Sequence, residues 1–222
     1  DIQEALTDET ILVSVMYANN EIGTLQPVKE IGRMLDEWKK TKSLPHTAYP
    51  YFHTDACQAV NYCNVDVLRL KCHLMTVNSS KIYGPKGAAL LYKREGIKLD
   101  PVTLGGGQER ELRSGTEATS LYYSFAHALQ ETKESQAQEV KRLELLSDYA
   151  QKELLRVIPS IIFYGAFDEV GMLMEGHKEP KRIMKRLPNN INCRVPGITS
   201  EEMILRLDAV GFAVSHKSAC AS

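Results

Sequence analysis

Residues 76–94 read TVNSSKIYGPKGAALLYKR. An apolar run, HLMTVNSS (73–80), leads into two serines and Lys81. The chain then passes Gly84-Pro85-Lys86-Gly87 into a second apolar run, GAALLYKR (87–94). Two short apolar runs separated by Gly and Pro predict two strands and a tight turn. Lys81 stands at the mouth of that turn. Lysine is almost never fully buried without a partner, so Lys81 either points into water or has a chemical task.

Working outward, ETILVSVMYANN (9–20) is a continuous apolar run closed by two asparagines, the pattern of a buried strand that ends in a loop. PVKEIGRMLDEWKK (27–40) follows, with Pro27 at a first-turn position. Val28, Ile31, Leu35 and Trp38 recur in it at helical spacing. YPYFHTDACQA (49–59) predicts a short strand ending at Asp55. The order strand, helix, strand, short helix, strand, strand predicts an open α/β sheet.

Beyond the sheet, GGGQERELRSGTEAT (105–119) is a polar glycine-rich loop. Residues 120–158 are helical almost throughout, with Leu143, Leu146, Ala150, Leu154 and Val157 in period. The charged stretch Thr132 to Glu139 predicts a domain boundary or a break between helices. The tail mixes a strand (IIFYG, 161–165), a loop rich in charge and methionine (167–186), a strand (NINCRV, 190–195), a helix (TSEEMILRLDAV, 199–210) and a strand (FAVS, 212–215). This α+β pattern suits a second, smaller domain. The expected division is residues 1–134 and 135–222.

Bulk properties narrow the class. The chain has 222 residues, 43% hydrophobic and 25% charged, ordinary values for a globular protein. With 27 basic and 28 acidic residues the net charge is −1, which argues against a general nucleic-acid or anionic-membrane binder. No apolar run is long enough to cross a bilayer, and the acidic start DIQEALTDET lacks the apolar core of a signal peptide. Five cysteines form no CxxC pair and no zinc-ligand spacing. Scattered thiols in odd number suggest a reducing compartment, the cytoplasm or a mitochondrial matrix. Both ends look abrupt, as in a fragment.

In open α/β sheets, ligands sit outside the carboxyl ends of the strands. Asn19 and Asn20, Asp55 and Gln58, and Asn78 through Lys81 fall at such ends. Taken singly, Asp55 reads as a helix cap and Lys81 as a solvated loop residue. Taken together, they bring an amine, a carboxylate and hydroxyls to one crevice, the chemistry that pyridoxal phosphate requires. A lysine must form a Schiff base and needs a lowered pKa. A carboxylate must pair with the pyridinium nitrogen. Hydroxyls and backbone N–H groups must take the phosphate.

Six ordered blocks sharpen this: YANNEIGTLQPVKEIG, HTDACQA, SSKIYGPKGAALLYKR, GGGQERELRSGT, LPNNIN and AVSHKSACAS. Together they resemble the cysteine desulfurase family, in the class V branch of fold-type I pyridoxal-phosphate enzymes. The resemblance implies a three-layer α/β large domain with a smaller α+β C-terminal domain. It also implies that Lys81 carries the cofactor and that Asp55 pairs with the ring nitrogen. Gln58 would donate to the phenolic oxygen, and Asn20 would contact the ring region and the substrate carboxylate. Thr116 would reach the phosphate held by the other subunit of a homodimer. Cys220 would be the nucleophile that takes sulfur from L-cysteine as a persulfide, leaving alanine, for delivery to a sulfur acceptor or iron–sulfur scaffold protein. Cys57 is expected to face away from Asp55. Cys63, Cys72 and Cys193 are expected to be structural, His53 and His73 to be packed, and His216 to be a loop residue.

The chain also departs from the pattern. The family has histidine just before the lysine and serine two residues further upstream, both helping to hold the phosphate. Here they are Ser80 and Asn78, neither of which carries a positive charge. The family's N-terminal portion, with the ring-stacking residue and a phosphate loop, has no counterpart here. Its C-terminal arginine, which holds the substrate carboxylate, is absent as well. Reduced activity is therefore expected of these residues alone. Two other readings stay open: a non-catalytic remnant serving dimerisation or scaffold binding, and a selenocysteine lyase.

Overall fold

The structure, a computed structural model, describes residues 1–165 and 186–216. They form two compact units. The first comprises residues 1–17 and 27–136, and the second 18–26 and 137–222.

A four-stranded sheet forms the heart of the first unit. After a short helix, α1 (Ile2–Ala5), come β1 (Leu12–Met16), α2 (Val28–Thr41), β2 (Tyr51–Asp55), α3 (Val67–Leu70), β3 (Leu74–Asn78) and β4 (Ala89–Lys93). The spatial order is β1-β2-β3-β4. β1 runs parallel to β2 and β2 to β3, while β4 returns antiparallel to β3. The α/β reading of the sequence is correct, and β4 lies beside β3 because the Gly-Pro turn leaves no room for a crossover. The inner strands are the buried ones: Phe52 and Thr54 are fully covered, and Leu74, Met75 and Val77 nearly so.

Helix α2 packs through Val28, Ile31 and Leu35, all buried. Pro27 sits one position before the helix, as its N-cap. Gly32 lets α2 approach the end of α3: a Cβ there would lie 2.3 Å from the Leu70 carbonyl oxygen. Asp66 caps α3 by accepting from the N–H groups of Leu68 and Arg69.

One polar cluster is buried inside this unit. Lys39 is only 2% exposed. Its Nζ donates to the His46 carbonyl at 3.1 Å and lies 3.1 Å from His73 Nε2. His73 Nδ1 accepts from the Phe52 N–H at 2.9 Å, so the proton of the neutral ring sits on Nε2, 2.9 Å from the His46 carbonyl. Burial pushes Lys39 down to about 8, and burial followed by the Lys39 cation pushes His73 down to about 4.

Helix α4 (Thr119–Val157) runs unbroken for 39 residues. Of the two outcomes expected at 132–139, the helix break does not occur, because Lys, Glu, Gln and Ala are strong helix formers whatever their charge, while the division between the two units falls at 136/137. Gln136 Nε2 ties this helix to the turn after β2, donating to the carbonyls of Val60 and Cys63 at 3.0 and 3.1 Å.

The second unit contains a two-stranded antiparallel pair, β5 (Ile162–Tyr164) and β6 (Asn192–Arg194), and helix α5 (Ser200–Asp208). Thr199 caps α5 through the Glu202 N–H. Residues 212–215, expected as a strand, are exposed and join no strand among the described residues. An apolar run becomes a strand only where it pairs with an edge. The helical stripe expected on α4 is only partly covered, with Leu146 50% and Val157 65% exposed. The expected loop at 167–186 falls, apart from Arg186, outside the described residues.

Candidate active site

Parallel pairing brings two strand ends together. Asp55 is the last residue of β2 and is the register partner of Thr76 on β3. Beyond β3 the chain makes one 3-10 turn, Ser79–Lys81. Asp55 and Lys81 thus follow the carboxyl ends of adjacent parallel strands.

Asp55 is half-buried and its Oδ1 accepts the Cys57 N–H at 2.9 Å, so it does cap the turn that follows. The expectation for Cys57 is overturned. Its thiol does not face away but lies against the Asp55 carboxylate, and the charges of both Asp55 and Lys81 reach it. Burial first, and then the Asp55 carboxylate, push this thiol up to about 12. At neutral pH Cys57 is therefore a thiol, not a nucleophile.

Lys81 is exposed. Its carbonyl accepts the Asn61 amide N–H at 2.6 Å, which anchors the backbone and leaves the side chain to the crevice or to water. Gly84 sits tightly behind: a Cβ there would fall 2.3 Å from Ser79 Oγ. Asn78 and Ser80, expected as phosphate donors, are engaged with each other. Asn78 Oδ1 accepts both the Ser80 N–H and the Ser80 hydroxyl at 2.9 Å. That spends the proton of Ser80 and leaves the Asn78 amide nitrogen as the donor of this pair.

Gln58 is half-buried in the turn that Asp55 caps. Thr116 is exposed in a loop whose backbone is held by Ser114, donating to the Thr103 and Leu104 carbonyls at 3.0 and 2.9 Å. Asn20 is exposed and belongs to the second unit. It sits in a turn organised by Asn19, whose Oδ1 accepts the N–H groups of Glu21 and Ile22. Cys220 lies outside the described residues. Cys72 is buried and Cys63 half-buried, while Cys193 is exposed.

A hydrogen-bonded row not anticipated from sequence crosses the sheet. His53 Nδ1 lies 2.7 Å from Ser14 Oγ, and its Nε2 lies 2.9 Å from Thr76 Oγ1. Burial lowers the His53 pKa, against the opposing pull of Asp55. Part of the signal was present: Ser14 is the one polar residue of β1, while β2 and β3 hold other polar residues beside His53 and Thr76.

The donor set suits pyridoxal phosphate in part. A carboxylate and a primary amine end adjacent strands, whereas the phosphate side has lost one proton donor to an internal bond. Comparison with known proteins agrees with this chemistry. A model of the family described as aminotransferase class-V matches residues 1–222. The chain belongs to the class-V aminotransferase family. Members of this family are pyridoxal-phosphate enzymes. The chain is 39% identical over 222 residues to the cysteine desulfurase IscS of Clostridium botulinum, covering 100% of this chain and 50% of that one. It is 37% identical to cysteine desulfurase IscS 1 of Archaeoglobus fulgidus, covering 100% of this chain and 50% of the relative. The solved structure of a NifS-like protein superposes with a TM-score of 0.80 at 27% identity, covering 97% of this chain and 52% of that one. The class-V chain therefore spans about half the length of the curated relatives it matches.

Proposed function

We propose that the chain carries the lysine half of a pyridoxal-phosphate site and serves a cysteine desulfurase. What supports this reading is that Asp55 closes β2 while Lys81 ends the turn after its parallel neighbour β3, in a chain 39% identical throughout to a desulfurase. When bound, the cofactor supplies an electron sink for bonds broken at the substrate amino acid. Lys81 Nζ would hold its aldehyde carbon and move protons at the substrate α-carbon. Asp55 would keep the ring nitrogen protonated, Gln58 would donate to the phenolic oxygen, and Asn78 with Ser80 would face the phosphate. Asn20 would meet the substrate carboxylate, and Thr116 would serve the site of a second copy in a homodimer. The Cys220 thiolate would attack the sulfur of L-cysteine. A sulfur–sulfur bond forms, the carbon–sulfur bond breaks, and alanine leaves after protonation. The persulfide then passes to an acceptor protein in a reducing compartment. Residues 1–134 would belong to the cofactor-binding large domain and 135–222 to the small one.

The test is spectroscopic. With added pyridoxal phosphate, a visible absorption band should form and should be lost in Lys81→Ala. No band at any cofactor concentration would overturn the reading. Sulfide release from cysteine with a reductant should fall to background in Cys220→Ala, and release equal to the parent would remove Cys220 from its role.

A further inference from the structure

The hydrogen-bonded row across the sheet bears on this same site. Its three members come from three neighbouring strands, Ser14 from β1, His53 from β2 and Thr76 from β3. Ser14 and His53 are register partners. Side chains alternate along a strand, so His53 and Asp55 share one face of β2. Thr76, at the far end of the row, is the register partner of Asp55. The bond from His53 Nε2 to Thr76 Oγ1 is therefore a diagonal that spans two residues and reaches the Asp55 level. The Thr76 carbonyl accepts the Ala56 N–H at 2.9 Å, and the Cys57 N–H holds Asp55 Oδ1. The carboxylate is thus fixed from beyond by Cys57, and its row is fixed from behind by His53.

We propose that His53 is a positioning residue for Asp55: clamped between Ser14 and Thr76, its ring sets the level and the polarity of the strand end on which the carboxylate receives a cationic ring nitrogen. The proposal rests on the cofactor site described above. A histidine suits this place better than a lysine or an apolar residue. Two hydroxyls satisfy either tautomer of the ring, since each can donate or accept. Burial favours the neutral imidazole, which adds a dipole beside Asp55 without adding a cation that would compete for it. A phenyl ring of similar volume would fill the space but leave Ser14 and Thr76 without this partner.

The experiment uses the 222-residue chain with His53→Phe and His53→Gln; glutamine can still reach a hydroxyl. The first readout is pyridoxal phosphate affinity from the visible band. The second is the chemical shift of the Asp55 side-chain carboxyl carbon, by carbon NMR at neutral pH in the cofactor-free chain. The third is the urea midpoint. His53→Phe should weaken cofactor binding about tenfold and move the Asp55 carboxyl resonance, because the polar row that ends at its level is broken. His53→Gln should recover most of both. Should His53→Phe fail to fold, His53→Leu takes its place. If affinity and the Asp55 resonance stay at parental values while only the urea midpoint falls, His53 is a register clamp only and the proposal is overturned. If the parent forms no band, the cofactor reading fails by itself, and the Asp55 resonance still decides the role of His53.

Discussion

Residues decide how well this site can hold an anion. Asn78 and Ser80 can each donate in principle, and the sequence shows only that. The structure spends the Ser80 hydroxyl on Asn78 Oδ1, which sequence could not reveal because a rotamer chooses the partner. One lost charged hydrogen bond is worth about 1.5–3 kcal/mol. Ser80→His should therefore tighten pyridoxal phosphate binding about tenfold or more, measured by titrating the visible band. Equal affinity in Ser80→His would show that position 80 does not meet the phosphate. The buried Lys39 and His73 give a second residue-scale outcome. Lys39 titrates near 8 in the folded chain against 10.5 in the unfolded one. Between those values the unfolded state holds more protons, so stability rises with pH through this window. Tyr17, pushed up to about 12 mainly by burial, acts oppositely: its contribution is lost as pH climbs from 10 toward 12. His73, lowered from 6.5 to about 4, makes stability fall as pH drops through that interval. Urea midpoints should climb from pH 8 to about 9 and then fall, as the Cys57 and Cys72 thiols from 9 and Tyr17 from 10 act against Lys39. Lys39→Met should abolish the climb.

At the level of elements, strands β1 to β4 and helix α2 were legible from apolar runs and their period. The carboxyl-end positions of Asp55 and Lys81 followed directly. Less legible was the turn behind Lys81. Gly84 reads as a turn residue, yet its requirement is a close approach: a Cβ would meet Ser79 Oγ at 2.3 Å and Ala128 Cβ at 3.1 Å. Gly84→Ala should cost about 1–3 kcal/mol in urea unfolding through overpacking. Ser79→Ala in the same chain should return part of that loss, because it removes the nearest atom. If the double variant is no more stable than Gly84→Ala, the contact with Ser79 is not the cause. The stretch 132–139 changes composition but not propensity, so α4 passes through it, although the division between the two units falls at 136/137. Residues 212–215 have strand propensity but join no strand among the described residues. Propensity is local, while strand formation needs a partner.

For the whole molecule, apolar surface is the dominant feature. Val102 is 97% exposed, Tyr83 91%, Leu104 79% and Tyr123 78%, all within the first unit. Contiguous apolar exposure marks surfaces that meet other protein, whereas single exposed side chains do not. A second copy of the chain is the occupant that fits the proposed role of Thr116 in a shared site. Light scattering should give a dimer at micromolar concentration, and Leu104→Glu should shift it toward monomer. A monomeric parent would remove Thr116 from the site. The sequence by itself determined the α/β class, the order of strands along the chain and the strand-end positions of Asp55 and Lys81, because strand periodicity and strand ends are local properties. Only the tertiary structure decided that Cys57 faces Asp55, that Ser80 is tied to Asn78, and that Ser14, His53 and Thr76 join across three strands. Those contacts depend on register and rotamer, which are set when separate strands pack and not by any one stretch of chain.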